Sequence, residues 1–200
     1  TAPGNVKPRV FPDIDYCRPV QLGKLIYISE TASDSLSAYN TDSGELKWRY
    51  YASGAIRRPP AAAALADGSK IVIVSSDDGW VYCLNAESGK ENWRFRAAPN
   101  NQKAMGFGRL SSVWPVWASA AISNDKVYFV AGYIPSYCLY GYCLDAKTGS
   151  AIWVNDGRVN DIWNTSALGP IAISMNGKEM YGSVEGNARP WVKEKKNGDF

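Results

Sequence analysis

The chain has 200 residues, with 22 Lys and Arg against 19 Asp and Glu, a net charge of +3 and no histidine. The length suits one ordinary domain. The missing histidine excludes a Cys-x-x-Cys-His haem attachment, a His-Glu-x-x-His zinc site and a Ser-His-Asp triad among these residues. The charge is small and scattered and the aromatics sit at strand positions, so nucleic acid is not an expected partner. No apolar run approaches the ~20 residues of a membrane span.

In chain order, a strand is predicted at Ile26-Tyr27-Ile28-Ser29, followed by a hairpin over 38–48, AYNTDSGELKW. A short apolar run at 60–65, the turn signal Asp67-Gly68 and a strand at 71–75 come next. The pair Asp77-Asp78 before Gly79 reads as a hairpin turn. A second hairpin, CLNAESGKENW, occupies 83–93. After an interruption come an apolar run at 116–122, a strand at 127–130 and a third hairpin, CLDAKTGSAIW, at 143–153. Segments 168–175, 179–184 and 189–192 read as three further strands. Lys193-Glu194-Lys195-Lys196 reads as a solvated run, and Asn164-Thr165-Ser166 matches a glycosylation sequon.

The three hairpins are one repeat. Each begins with a small residue (Ala38, Cys83, Cys143) and has Asn or Asp two places on (Asn40, Asn85, Asp145). Gly follows after four more (Gly44, Gly89, Gly149), and Trp after another four (Trp48, Trp93, Trp153). Asn or Asp at a turn entry bonds backbone N–H groups two residues on. Gly supplies the positive φ of a tight loop. Trp is an apolar plate that must find a groove. The first spacing is 45 positions, from 48 to 93, and the second is 60, from 93 to 153. A period of about 45 with four short strands is that of a propeller blade.

The pattern small-x-(Asp/Asn)-x-x-x-Gly-x-x-x-Trp resembles the tryptophan-docking motif of PQQ-like β-propeller repeats, most closely in GWVYCLNAESGKENWRFR. The resemblance runs from about 36 to 156. It implies an all-β propeller of four-stranded blades, about four of them, as part of a seven- or eight-bladed ring. Blades are expected at 18–52, 58–96, 116–156 and 168–200, in a single partial domain with an inserted loop at 97–115. The resemblance makes Trp48, Trp93 and Trp153 inter-blade staples, with Gly44, Gly89 and Gly149 as their seats. The start at Thr1 and the unclosed last blade suggest an excerpt of a longer protein, or a ring closed by a second copy.

Quinoprotein dehydrogenases of this class hold PQQ between a Trp and an adjacent-cysteine disulfide, beside a Ca²⁺ bound by acidic and amide oxygens. No Cys-Cys pair occurs here, so no cofactor or metal site is assigned. Cys83 and Cys143 share a motif column and are expected to be buried thiols. Cys138 and Cys143, in an extended strand, would lie ~16 Å apart. That exceeds the ~7 Å reach of a disulfide, so a bridge there needs a turn at 139–142. Cys17 has no evident partner.

The insertion departs from the repeat, and long loops on rigid scaffolds carry function. Its Phe-Gly-x-Leu-x-Ser-Val-Trp-Pro-Val resembles a stretch in a subgroup of large secreted bacterial propellers. Those relatives often carry Glu at the place of Ser111 and His at the place of Trp117. Arg109, Ser112, Trp114 and Trp117 are therefore candidate ligand-binding residues, unless Trp114-Pro115 only packs the loop down. Arg57 and Arg58, joining two blades near the axial face, could hold an anion or be solvated loop charges. The leading expectation is a non-catalytic binding or assembly module of a larger secreted or envelope protein. Its setting would be periplasmic, cell-surface or extracellular, and its partners proteins or remaining blades. The alternative is a fragment of a PQQ- and Ca²⁺-dependent alcohol dehydrogenase. A third reading is a structural subunit that self-associates through open blade edges.

Overall fold

The computed structural model describes residues 18–106, 108–132, 140–155, 171–173, 179–184 and 187–193. Cys17, Cys138, Asn164 and the run from Glu194 lie outside them. The described residues form strands and turns, without helix. The first sheet is β1 (Val20–Leu22), β2 (Leu25–Glu30), β3 (Ser35–Asn40) and β4 (Leu46–Tyr51). The second is β5 (Ala61–Ala64), β6 (Lys70–Ser75), β7 (Trp80–Asn85) and β8 (Glu91–Arg96). A separate two-stranded hairpin follows, β9 (Lys103–Gly106) and β10 (Arg109–Ser112). The third sheet is β11 (Ala121–Ser123), β12 (Lys126–Ala131), β13 (Tyr140–Asp145) and β14 (Ala151–Asn155). The fourth, among described residues, is β15 (Ile171–Ile173), β16 (Glu179–Val184) and β17 (Asn187–Lys193).

Every sheet is an antiparallel meander in sequence order. The first strands touch one another in the order β1, β5, β11, β15, so the sheets are blades sharing an inner edge. Central strands are apolar without alternation because a neighbouring blade covers each of their faces. Val72 and Val74 of β6 join Tyr27, Leu36 and Ala38 of the first blade in one core cluster. Ile71 and Ile73 face the other way, onto Val127 and Phe129 of the third blade. This is the period of two of a strand, used on both sides. The outer strand β8 alternates half-buried and exposed residues, as a rim strand should.

The motif turns are built alike. Asn40 Oδ1 accepts from the Asp42 and Ser43 N–H groups at 2.8 and 3.0 Å. Asn85 takes Glu87 and Ser88, and Asp145 takes Lys147 and Thr148, at 2.8–3.0 Å. Gly44, Gly89 and Gly149 have φ of 70, 70 and 73°. Each small residue pairs across the strand with its Trp, and a register shift follows at once.

The rings then reach forward. Trp48 Nε1 donates to Ala86 O of the second blade at 3.1 Å, and Trp93 Nε1 to Ala146 O of the third at 2.9 Å. A Cβ placed on Gly89 would stand 2.5 Å from the Trp48 ring, and one on Gly149 2.6 Å from Trp93. Each of these two rings therefore sits on the glycine of the following blade, not that of its own hairpin. A Cβ on Gly44 meets nothing within 4 Å. Trp153 packs its ring on Tyr128, at 6.3 Å between centroids. Cys83 and Cys143 are buried free thiols.

Candidate functional site

Antiparallel order puts the β2–β3 and β6–β7 turns on the same rim as the connections from one blade to the next. That rim carries the chemistry. The β6–β7 turn is tied on both sides: Asp77 N donates to Ala55 O at 2.9 Å, Ser112 N to Asp77 O at 2.8 Å and Val116 N to Ser76 O at 3.1 Å. Gly79 closes the turn at φ 85°. A Cβ there would stand 2.8 Å from Ser112 Oγ, so the close approach also requires glycine.

At this turn the Asp77 carboxylate joins two connections. Its Oδ2 accepts from Arg57 Nε at 2.7 Å and its Oδ1 from Trp117 Nε1 at 2.6 Å. Asp77 is 4% exposed and Arg57 6%. Burial pushes the Asp77 carboxyl above its ordinary range, against the opposing pull of Arg57 and the Trp117 hydrogen bond. Gly132 N donates to Pro115 O as Asp77 N does to Ala55 O, so Arg57 and Trp117, each two residues on, hold equivalent places in successive connections. Arg58 is buried too, its Nε donating to Trp117 O at 2.7 Å. The expectation that Arg57 and Arg58 are solvated loop charges is therefore overturned: both are drawn inside, Arg57 by a buried carboxylate and Arg58 by a backbone carbonyl.

The insertion is not a plain loop. Strands β9 and β10 pair antiparallel, with Met105 opposite Leu110 and Gly106 opposite Arg109. At the tip, Arg109 donates Nη1 to Asp34 Oδ1 and Nη2 to Asp34 Oδ2, each at 2.7 Å, and Nη1 also to Thr31 O at 3.0 Å. The hairpin thus leaves the second blade and is tied to the first. Met105 and Leu110 remain 74% and 62% exposed. Ser112 and Trp114 are buried. Ser112 Oγ accepts from Trp114 N at 3.1 Å, and the Trp114 ring meets Tyr140 edge-on at 6.5 Å. These two pack the base of the hairpin.

Under the hairpin lies a cleft of about 380 Å³. Asp34 of the first blade, Ser53, Gly54 and Ala55 of the first connection, Asp77, and Gly108, Arg109 and Leu110 of the hairpin line it. Of the six ligand-binding candidates only Arg109 lines this space. Asp34, Ser53 and Asp77 were missed by sequence reasoning. Asp77 carried a signal: it is a carboxylate two places past the apolar strand 71–75, at the last residue of a continuous buried run.

The described residues do not fit a PQQ and Ca²⁺ site. The two described cysteines sit buried in different blades, and Asp34 and Asp77 already hold Arg109 and Arg57. No trio of His, Cys, Asp or Glu among the described residues could hold a metal ion. No described helix is long and apolar enough to cross a membrane.

A family model described as "Outer membrane protein assembly factor BamB", of PQQ repeats, matches residues 12–153 and 61–181. The chain is 27% identical over 173 residues to a polyvinylalcohol dehydrogenase of Sphingopyxis sp. (strain 113P3), covering 82% of this chain and 25% of that protein. It superposes on BamB from Moraxella catarrhalis with a TM-score of 0.57, at 16% identity, over 85% of this chain and 43% of that one. A europium-containing methanol dehydrogenase gives a TM-score of 0.64 at 15% identity, over 86% of this chain and 36% of that one. The chain spans a quarter of the length of the curated relative it matches.

Proposed function

The chain belongs to the PQQ-like β-propeller repeat family, and on that premise we propose that it is a non-catalytic binding or assembly module of a larger secreted or envelope protein. One observation carries the reading. On the connection-bearing rim Arg57 is tied to Asp77 and Arg109 to Asp34, and the second tie holds a hairpin whose paired Met105 and Leu110 face outward. Exposed apolar groups on a fixed mount form a contact surface for a protein partner. The assembly role named for the BamB relatives is in keeping with it.

A second reading is favoured by the match to polyvinylalcohol dehydrogenase: a fragment of a PQQ- and Ca²⁺-dependent alcohol dehydrogenase whose cofactor residues lie outside those described. One experiment separates the two. A photo-crosslinking residue is placed at position 105 of the natural full-length protein, and another at exposed Lys90 on the opposite rim. In parallel, the protein is supplied with PQQ and Ca²⁺ and tested for alcohol-dependent dye reduction. Specific crosslinks from 105 but not from 90, without dye reduction, are the expected result. Dye reduction without crosslinks from 105 would overturn the binding-module reading.

A further inference from the structure

The cleft beneath the hairpin has a ligand chemistry of its own, distinct from the outward ridge. We propose that it takes an uncharged, hydroxyl-rich molecule, a saccharide or open-chain polyol. The inference rests on the binding-module reading and adds a ligand class to it. Four segments far apart in sequence converge on the space: the β2–β3 turn, the first connection, the β6–β7 turn and the hairpin. At about 380 Å³ it falls within the range of small-molecule sites, roughly 300–1,000 Å³.

Its walls are polar, and their charges are already matched. Asp34 is neutralised by the two Nη atoms of Arg109, and Asp77 by Arg57. Breaking the buried Arg57–Asp77 pair is costly, and an ion set beside the half-exposed Arg109–Asp34 pair brings a charge that nothing in the lining matches. A hydroxyl ligand does neither. A carboxylate has about four acceptor positions, and a guanidinium has about five N–H donors. The Asp34–Arg109 pair uses two of its carboxylate's positions and leaves Arg109 donors over. Hydroxyl groups accept and donate in turn, so one molecule can meet the remaining acceptor positions of Asp34 and the remaining donors of Arg109, both of which line the cleft. Gly54 and Ala55 of the first connection supply a small apolar surface for the C–H groups of such a molecule. An apolar ligand finds little else to bury against.

The test uses saturation-transfer NMR on the natural full-length protein with maltose, cellobiose and sorbitol as probes, and inorganic phosphate as competitor. Two variants locate the signal. Ser53→Trp fills the cleft from its exposed side while keeping all four ion-paired residues, and Arg109→Ala removes a wall. Melting curves show which variants fold, and either folded variant decides the matter. Saturable millimolar binding of at least one probe is expected, indifferent to phosphate, and weakened about tenfold in Arg109→Ala, as for a lost hydrogen bond to a charged group. Displacement by phosphate, equal binding in Ser53→Trp, or no saturable signal from any probe would each overturn the proposal. Crosslinking from position 105 is read separately, so the cleft can fail while the module reading stands, and the reverse.

Discussion

At the scale of single residues, the docking glycines do two jobs in two places. Gly44 needs only its positive φ, whereas Gly89 and Gly149 also receive an indole. Alanine at 44 is expected to cost about 1–2 kcal/mol of left-handed strain. Alanine at 89 adds a clash with Trp48 of about 1–3 kcal/mol. Equal losses in denaturant titrations of the two variants would show that the ring is not seated there. Trp93→Ala removes a half-buried plate and its bond to Ala146, an expected loss of about 3 kcal/mol. An unchanged melting temperature would argue against the staple. The two motif cysteines give a chemical readout. Burial pushes the Cys83 thiol up to about 12 and the Cys143 thiol up to about 11. The thiolate is the reactive form, so both should resist alkylation at mildly alkaline pH and react only as the blades open. Rapid labelling of either cysteine in the folded protein would contradict the packing.

At the scale of elements, the hairpin and the β6–β7 turn differ in how firmly they are held. The Arg109–Asp34 pair is bidentate but half-exposed, and such pairs contribute about 0.2–1 kcal/mol. Arg109→Ala should therefore leave the melting temperature nearly unchanged while hydrogen exchange quickens in 103–112. Unchanged exchange would mean that the hairpin is held from its base. Asp77→Ala leaves Arg57 buried without its carboxylate, an expected loss of about 3–5 kcal/mol. A loss below the level of a surface substitution would refute the hub. These elements also mark how far the sequence could be read. The Asn–Gly–Trp hairpins were legible because each part acts on its near neighbours: Asn85 on Glu87 and Ser88, Gly89 on its own turn. The second blade's inner run, read as 60–65, is realised as a four-residue strand, and the run at 116–122 is mostly connection, with β11 only three residues long. Lys103-Ala104-Met105-Gly106 has no strand pattern at all. It is a strand because it pairs with β10, whose Arg109 is bonded to Asp34 and Ser112 to Asp77 across separations that no local pattern records.

At the scale of the whole molecule, Asp67 and Asp145 on one rim and Asp77 on the other are shifted in opposite directions. On the motif-turn rim, hydrogen bonds from Lys147 and Ser69 hold the Asp67 carboxyl below its ordinary value, and those from Thr148 hold Asp145 down. Their contributions are present above the ordinary value of 3.8 and are lost as pH falls below it. Asp77 has the opposite sign. Its folded value is raised, so its contribution is full below 3.8 and is lost as pH rises through the folded value. Melting curves from about pH 3 to about pH 7 should show less acid loss in Asp67→Asn and a flatter upper limb in Asp77→Asn. An unaltered profile in both would mean that other groups set the pH response. The forward reach of the rings has a further consequence, in time. Trp48 has no seat until the ribosome has added everything through Gly89, and Trp93 none until Gly149. Each newly made blade therefore leaves the exit tunnel with its indole bare and stays sticky until the next has formed. A pause in translation between two blades would hold that ring in solvent, where a chaperone or another nascent chain could reach it.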